Sequence, residues 1–171
     1  MYYDLMKDAG VHEMLMKKAG AILARRACSR GELRNKLAKI AQISQVEDVL
    51  DSLDQLNLLN DMDYAYNFAL CRVQQEGWGP AKVRDSLLRR HVAQETVESA
   101  MERIRKEVDY ESVLAKCVRK YWGNRNLSRD WKEARKLILH LRQRGFDEDS
   151  IWSALKKIMP AALLQHLETG E

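Results

Sequence analysis

The sequence predicts an all-α protein of tandem three-helix units forming an elongated or curved body. Three observations carry that expectation. Only two prolines and eight glycines punctuate 171 residues, so long helices meet few breakers. Val, Ile, Thr and Phe are scattered, with no period-two run of strand length. Apolar residues instead recur at helical spacing, in blocks about fifty residues apart.

In chain order, residues 1–10 read as an N-terminal extension, 11–58 as the first unit, 59–108 as the second, 109–159 as the third, and 160–171 as a tail. A first helix near residues 11–27 opens the first unit. Tyr64, Phe68 and Cys71 mark its counterpart in the second unit, and Tyr110, Leu114 and Cys117 in the third. Second helices follow, with Leu33 and Leu37 matching Val83 and Leu87, and these matching Leu137 and Leu141. The offsets are 50 and then 54 residues. Third helices carry apolar faces spaced i, i+3, i+4, i+7: Val46, Val49, Leu50, Leu53; Val97, Ala100, Met101, Ile104; Ile151, Ala154, Leu155, Ile158. A unit this small has a marginal core, and stacking on neighbours supplements it.

Local signals mark the helix ends. "SRGE" (29–32) and "SQVE" (44–47) have the form of a capping box. Asp61, Ser128 and Asp147 read as caps elsewhere. Pro80 suits the first turn of a helix, and Pro160 should stop the last one. Gly79 should permit the sharp approach to Pro80, through a positive φ.

The charge layout follows the same rhythm. Residues 21–43 hold six basic and one acidic residue, 44–76 one and seven, and 77–92 four and one. Residues 93–115 hold three and six, 116–146 ten and two, and 147–171 two and five. The second helices lie in the basic segments and the third helices in the acidic ones.

Several classes of chemistry lack their signatures. No apolar run approaches the roughly 18 residues that span a bilayer. The opening "MYYDLMKDAG" lacks the pattern of a secretion signal, which makes the cytoplasm the expected compartment. Cys28, Cys71 and Cys117 are odd in number and widely spaced, and read as small buried thiols. His12, His91, His140 and His166 have no metal-ligand spacing. There is no phosphate loop and no nucleophile elbow. No enzyme activity, cofactor or metal is expected.

The basic helices carry the functional question. For any one of them the plain reading is a solvated face. Three in register would instead offer Lys and Arg to phosphates or to an acidic protein groove. The candidates are Arg30, Arg34, Lys36 and Lys39 in the first unit, and Lys82, Arg84, Arg89 and Arg90 in the second. Arg119, Lys120, Arg129, Lys132, Arg135, Lys136 and Arg144 follow in the third. Arg34 matches Arg84, Lys39 matches Arg89, Lys82 matches Lys136, and Arg90 matches Arg144. Trp78, Gly79 and Pro80 form a turn or hinge ahead of the second basic helix. Trp78, Trp122 and Trp131 read as packing between helices or as stacking surfaces.

The runs "ARRACSRGELRNKL", "LLNDMDYAYNFA", "EGWGPAKVRDSL" and "LRQRGFDEDSIWSAL" resemble the RecX family of recombinase regulators, over about residues 15–158. Where the family pattern often has arginine before the Gly-aromatic-Gly-Pro run, this chain has Glu76. The resemblance implies tandem three-helix repeats that bind the RecA–DNA filament and inhibit its recombinase and coprotease activities in DNA repair. It implies no chemistry of the protein's own, and weak DNA binding in some members. The partner implied is the RecA filament, with single- or double-stranded DNA beside it; no membrane is expected, and the chain is expected to be a monomer. An alternative is a direct DNA-binding protein of helix-turn-helix type. Against it, the basic helices lack a base-reading set of Asn, Gln and Arg at one helix start. A helical scaffold for some other acidic protein is a third reading.

Overall fold

The computed structural model describes residues 2–122, 131–157 and 159. Nine helices and no strands occur among them: α1 (Tyr2–Leu23), α2 (Arg30–Leu37), α3 (Ile43–Gln55), α4 (Asp61–Glu76), α5 (Pro80–Leu88), α6 (Gln94–Glu107), α7 (Tyr110–Trp122), α8 (Trp131–Gln143) and α9 (Glu148–Lys156). The all-α expectation is met. The first helix begins at Tyr2, so residues 2–10 are helical rather than an extension ahead of it. Ser128, Arg129, Ile158, Pro160, His166 and the tail 160–171 lie outside the described residues, as do the side chains of Trp122 and Trp131.

The chain divides into two compact units. One comprises Met1–Asn67 with Leu87–Ala100, the other Phe68–Ser86 with Met101–Glu171. In the first, Leu15 and Ala19 of α1 pack with Leu33 and Leu37 of α2 and with the Val46, Val49, Leu50, Leu53 face of α3. In the second, Leu114 and Val118 of α7 pack with Leu137 and Leu141 of α8 and with Ile151 and Leu155 of α9. The equivalent second-helix leucines, Leu37, Leu87 and Leu141, are all fully buried. The apolar register read from the sequence therefore holds in space.

Helix ends follow the local signals in part. Ser29 forms the capping box: its hydroxyl accepts from the Glu32 N–H at 3.0 Å, and the Glu32 carboxylate accepts from the Ser29 N–H. Asp147 caps α9 by accepting from the Ser150 N–H at 2.8 Å. The box expected at Ser44 does not form. Helix α3 starts two residues earlier than that box requires, with Gln42 as N-cap and no side-chain bond there. Glu47, its expected partner, is drawn instead to Arg30 and Arg34. Nor does Asp61 cap α4. Asn60 does so, accepting from the Asp63 N–H at 3.0 Å, while Asp61 accepts from the Arg30 N–H at 2.7 Å. A second bonding option at each position decided the outcome.

A repeated joint ties the second helices. In the first unit the Ser29 hydroxyl donates to the Arg90 carbonyl, and Gly31 presses against the backbone of His91. In the second unit the Gly79 N–H donates to the Arg144 carbonyl at 2.6 Å and the Ala81 N–H to the Gly145 carbonyl at 3.1 Å. The acceptor turns have left-handed residues at matching places, His91 (φ 57°) and Gly145 (φ 85°). The partners are related by the same offsets as the leucines, 29 to 79 and 90 to 144. Each second helix thus begins on the closing turn of the next.

Candidate partner-binding surface

The turn before α5 is built from backbone geometry first. Gly77, at φ 64°, closes α4 in the left-handed conformation that glycine adopts without penalty. Its N–H and that of Trp78 donate back to the carbonyls of Val73 and Arg72, both at 3.1 Å. Gly79 does not occupy that conformation, contrary to the sequence expectation. It is needed for a different reason, because a Cβ there would collide with the backbone of Gly145 and Phe146. Pro80 begins α5 as expected.

Trp78, half-buried, is braced on this turn. The Arg72 guanidinium lies 5.2 Å and the Lys82 ammonium 4.6 Å from its ring centroid, and Phe68 meets it edge-on at 6.2 Å. Lys82 therefore serves the turn. Arg72, not among the expected site residues, also pairs with Glu76. Its signal in the sequence is its place one helical turn before Glu76.

The expected site cations divide by use. Arg30 spans to Glu47 (2.9 Å), Asp51 (2.7 Å) and Asp54 on α3, and Arg34 joins it at Glu47. Burial works to raise the Glu47 carboxyl, but the two guanidiniums outweigh it and hold it below the usual range. The +5/−6 alternation between segments 21–43 and 44–76 is thus partly an internal complement of α2 and α3. Arg144 is likewise committed: it donates to the carbonyls of Glu76 and Gly77 (3.3 Å) and from Nε to His140 Nε2 (2.9 Å). Lys136 pairs with Glu133 at 2.6 Å. Arg84 and Arg90 are half-buried with interactions of their own. Lys132 and Arg135 are exposed on α8 and also engaged. Lys39, Arg89, Arg119 and Lys120 are exposed, Lys36 is half-buried, and none of these five forms an ion pair with another described residue. Arg119 and Lys120 stand on α7, a first helix of its unit rather than a second.

The thiols differ from their uniform reading. Cys28 is buried, Cys117 half-buried and Cys71 exposed, and none is bonded to another. Cys71 sits on the outer side of α4, a position its spacing from Tyr64 and Phe68 did not reveal. Among the described residues no group of three His, Cys, Asp or Glu side chains is placed to hold a metal ion, and no helix is long and apolar enough to cross a membrane.

Residues 60–101, which span the braced turn and the second basic helix, match the family model described as RecX, second three-helix domain. The likeness to RecX in sequence covers that segment of the chain. Two solved RecX structures share its fold. RecX from Lactobacillus salivarius superposes with a TM-score of 0.76 at 18% identity, covering 88% of this chain and 97% of that one. A second crystal structure, of a regulatory protein RecX, gives 0.72 at 17% identity, covering 86% and 73%. No curated protein matches the chain in sequence. The RecX domain match falls where the turn, Trp78 and α5 are found, so these features belong to the part of the chain the family model recognises.

Proposed function

We propose that this chain is a regulatory protein that binds the RecA–DNA filament and lowers its recombinase and coprotease activities in cytoplasmic DNA repair. The observation that carries this reading is the RecX domain match at residues 60–101. One of the two solved relatives is described as a regulatory protein, which fits a protein acting through binding rather than catalysis. The contacts proposed are cations that form no ion pair with another described residue: Lys36, Lys39 and Arg89 on one compact unit and Arg119 on the other. Cations that hold no internal partner keep their charge for phosphates or acidic side chains of a filament. Arg30 and Arg34 in one unit, and Lys82 and Arg144 in the other, support these contacts by fixing helices and the turn.

The test is ATP turnover and strand exchange by RecA on single-stranded DNA, with and without the chain. Inhibition is expected from wild type and should fall steeply when Lys39, Arg89 and Arg119 are changed together to Glu, with the helical content unchanged, because exposed charges contribute little to stability. A triple variant that inhibits as well as wild type at the same salt would sink the cationic-surface part of the proposal. No effect of wild type on either assay would sink the regulatory reading. Binding to naked duplex as tight as to the filament would favour direct DNA binding instead.

A further inference from the structure

Beside α7, within the second compact unit, lies an open cavity of about 740 Å³ that the regulatory reading does not use. That volume is in the range of small-ligand sites. Its floor is a row one turn apart on α7, namely Val113, Cys117 and Tyr121, all half-buried. Eight residues of helix make the row about 12 Å long. Beside it runs a second row, Ser112, Lys116 and Lys120, exposed along the rim. At the far end Tyr121 packs against His140 with ring centroids 5.3 Å apart and planes tilted by 36°. The end of α4 also lines the cavity, with Gln74 and Gln75.

Three carboxylates also line the cavity, and their charges are largely spoken for. Glu76 pairs with Arg72, and Glu107 accepts from Arg103 Nε at 3.0 Å. Asp109 accepts from the Glu111 N–H at 2.9 Å and so sits on the positive end of α7. Lys116 and Lys120 have no such partner among the described residues. The surplus is positive and lies along one rail, one turn per lysine.

We propose that this cavity binds a free nucleoside 5′-diphosphate, with its phosphates along Lys116 and Lys120 and its base against Tyr121 and His140. Two ammonium groups about 6 Å apart along the helix suit neighbouring phosphates. An aromatic pair at the end of the row gives a base a face to stack on. Glutamine amides carry both a donor and an acceptor for a base edge. Neither phosphate alone nor base alone uses both ends.

Cys117 supplies the readout, since a ligand lying along the row covers its thiol. In a Cys71→Ser chain, with Cys28 buried, a maleimide reports Cys117. Burial pushes this thiol above its ordinary range, so labelling is run at mildly alkaline pH. The arms are ADP, adenosine, pyrophosphate and a 5′-phosphorylated oligothymidylate. ADP at about ten times its dissociation constant should slow labelling about tenfold, as mass action requires. Adenosine and pyrophosphate should each slow it far less at the same concentration. Lys116→Glu with Lys120→Glu should abolish protection without lowering stability, since both side chains are exposed. The proposal is overturned if millimolar ADP leaves the rate unchanged, if pyrophosphate protects as well as ADP, or if the double variant is still protected. Protection by the oligonucleotide alone would overturn it in favour of a strand. None of these variants touches Lys39, Arg89 or Arg119, so failure here leaves the filament test standing.

Discussion

Replacing Gly79 with Ala should strike the joint between α5 and the closing turn of α8. The added Cβ would meet the backbone of Gly145 and Phe146, and backbone cannot rotate aside as a side chain tip can. The start of α5 must then move. Two hydrogen bonds go with it: Gly79 N–H to the Arg144 carbonyl at 2.6 Å and Ala81 N–H to the Gly145 carbonyl at 3.1 Å. At a net 0.5–1.5 kcal/mol each, their loss costs about 1–3 kcal/mol. Disturbed packing around Phe146, itself buried, adds about 1 kcal/mol or more. The expected destabilisation is about 2–4 kcal/mol, or roughly 4–16 °C in Tm for a chain of this size. The assay reads the affected region directly, because all four tryptophans, at 78, 122, 131 and 152, belong to the second compact unit. Tryptophan fluorescence in a urea titration therefore follows that unit. Gly20→Ala is the control: nothing lies within 4 Å of a Cβ there, and alanine in a helix should stabilise by about 0.5–1 kcal/mol, read by circular dichroism. A Gly79→Ala chain that loses less than about 0.5 kcal/mol would refute the close approach of the two turns.

Two further outcomes follow from internal charges. Arg30→Ala should cost about 1–2 kcal/mol at low salt, since one guanidinium serves Glu47, Asp51 and Asp54. The loss should shrink near 1 M salt, where screening acts over about 3 Å, and an equal loss at both salts would mean the network contributes no Coulombic stability. His140 is held below its ordinary range by burial, and then by Arg144 and Lys82. Its Nε2 accepts from Arg144, which requires that nitrogen to be unprotonated. The unfolded chain binds the proton more readily, so this stability is fully present above about pH 6.5 and lost as pH falls through the lowered folded value. His140→Gln, whose amide oxygen can still accept, should flatten the fluorescence-monitored stability between about pH 6.5 and 5, and a variant with the wild-type slope there would show that His140 is not the titrating group.

The sequence by itself determined the class of fold and the register of its core. Helical spacing is a local property, and Leu37, Leu87 and Leu141 had to face inward wherever their helices were placed. Capping at Ser29 and Asp147 was equally legible, because cap and partner lie within one turn. The motif runs around "EGWGP" were sufficient to suggest a likeness to the RecX family, and residues 60–101 match the model of its second three-helix domain. What the sequence could not rank was competition between distant partners. Glu47 stands three residues from Ser44 and thirteen from Arg34, yet the arginines win it, because folding sets α2 beside α3. The need for glycine at position 79 was visible but its cause was not. A positive φ is a local demand and falls on Gly77, whereas Gly79 answers to the backbone of Gly145, sixty-six positions on. The basic candidates divide for the same reason. Arg30 opens α2 and Lys39 follows its C-cap with the same charge, and only the packing of α3 turns Arg30 into an internal tie while Lys39 stays exposed.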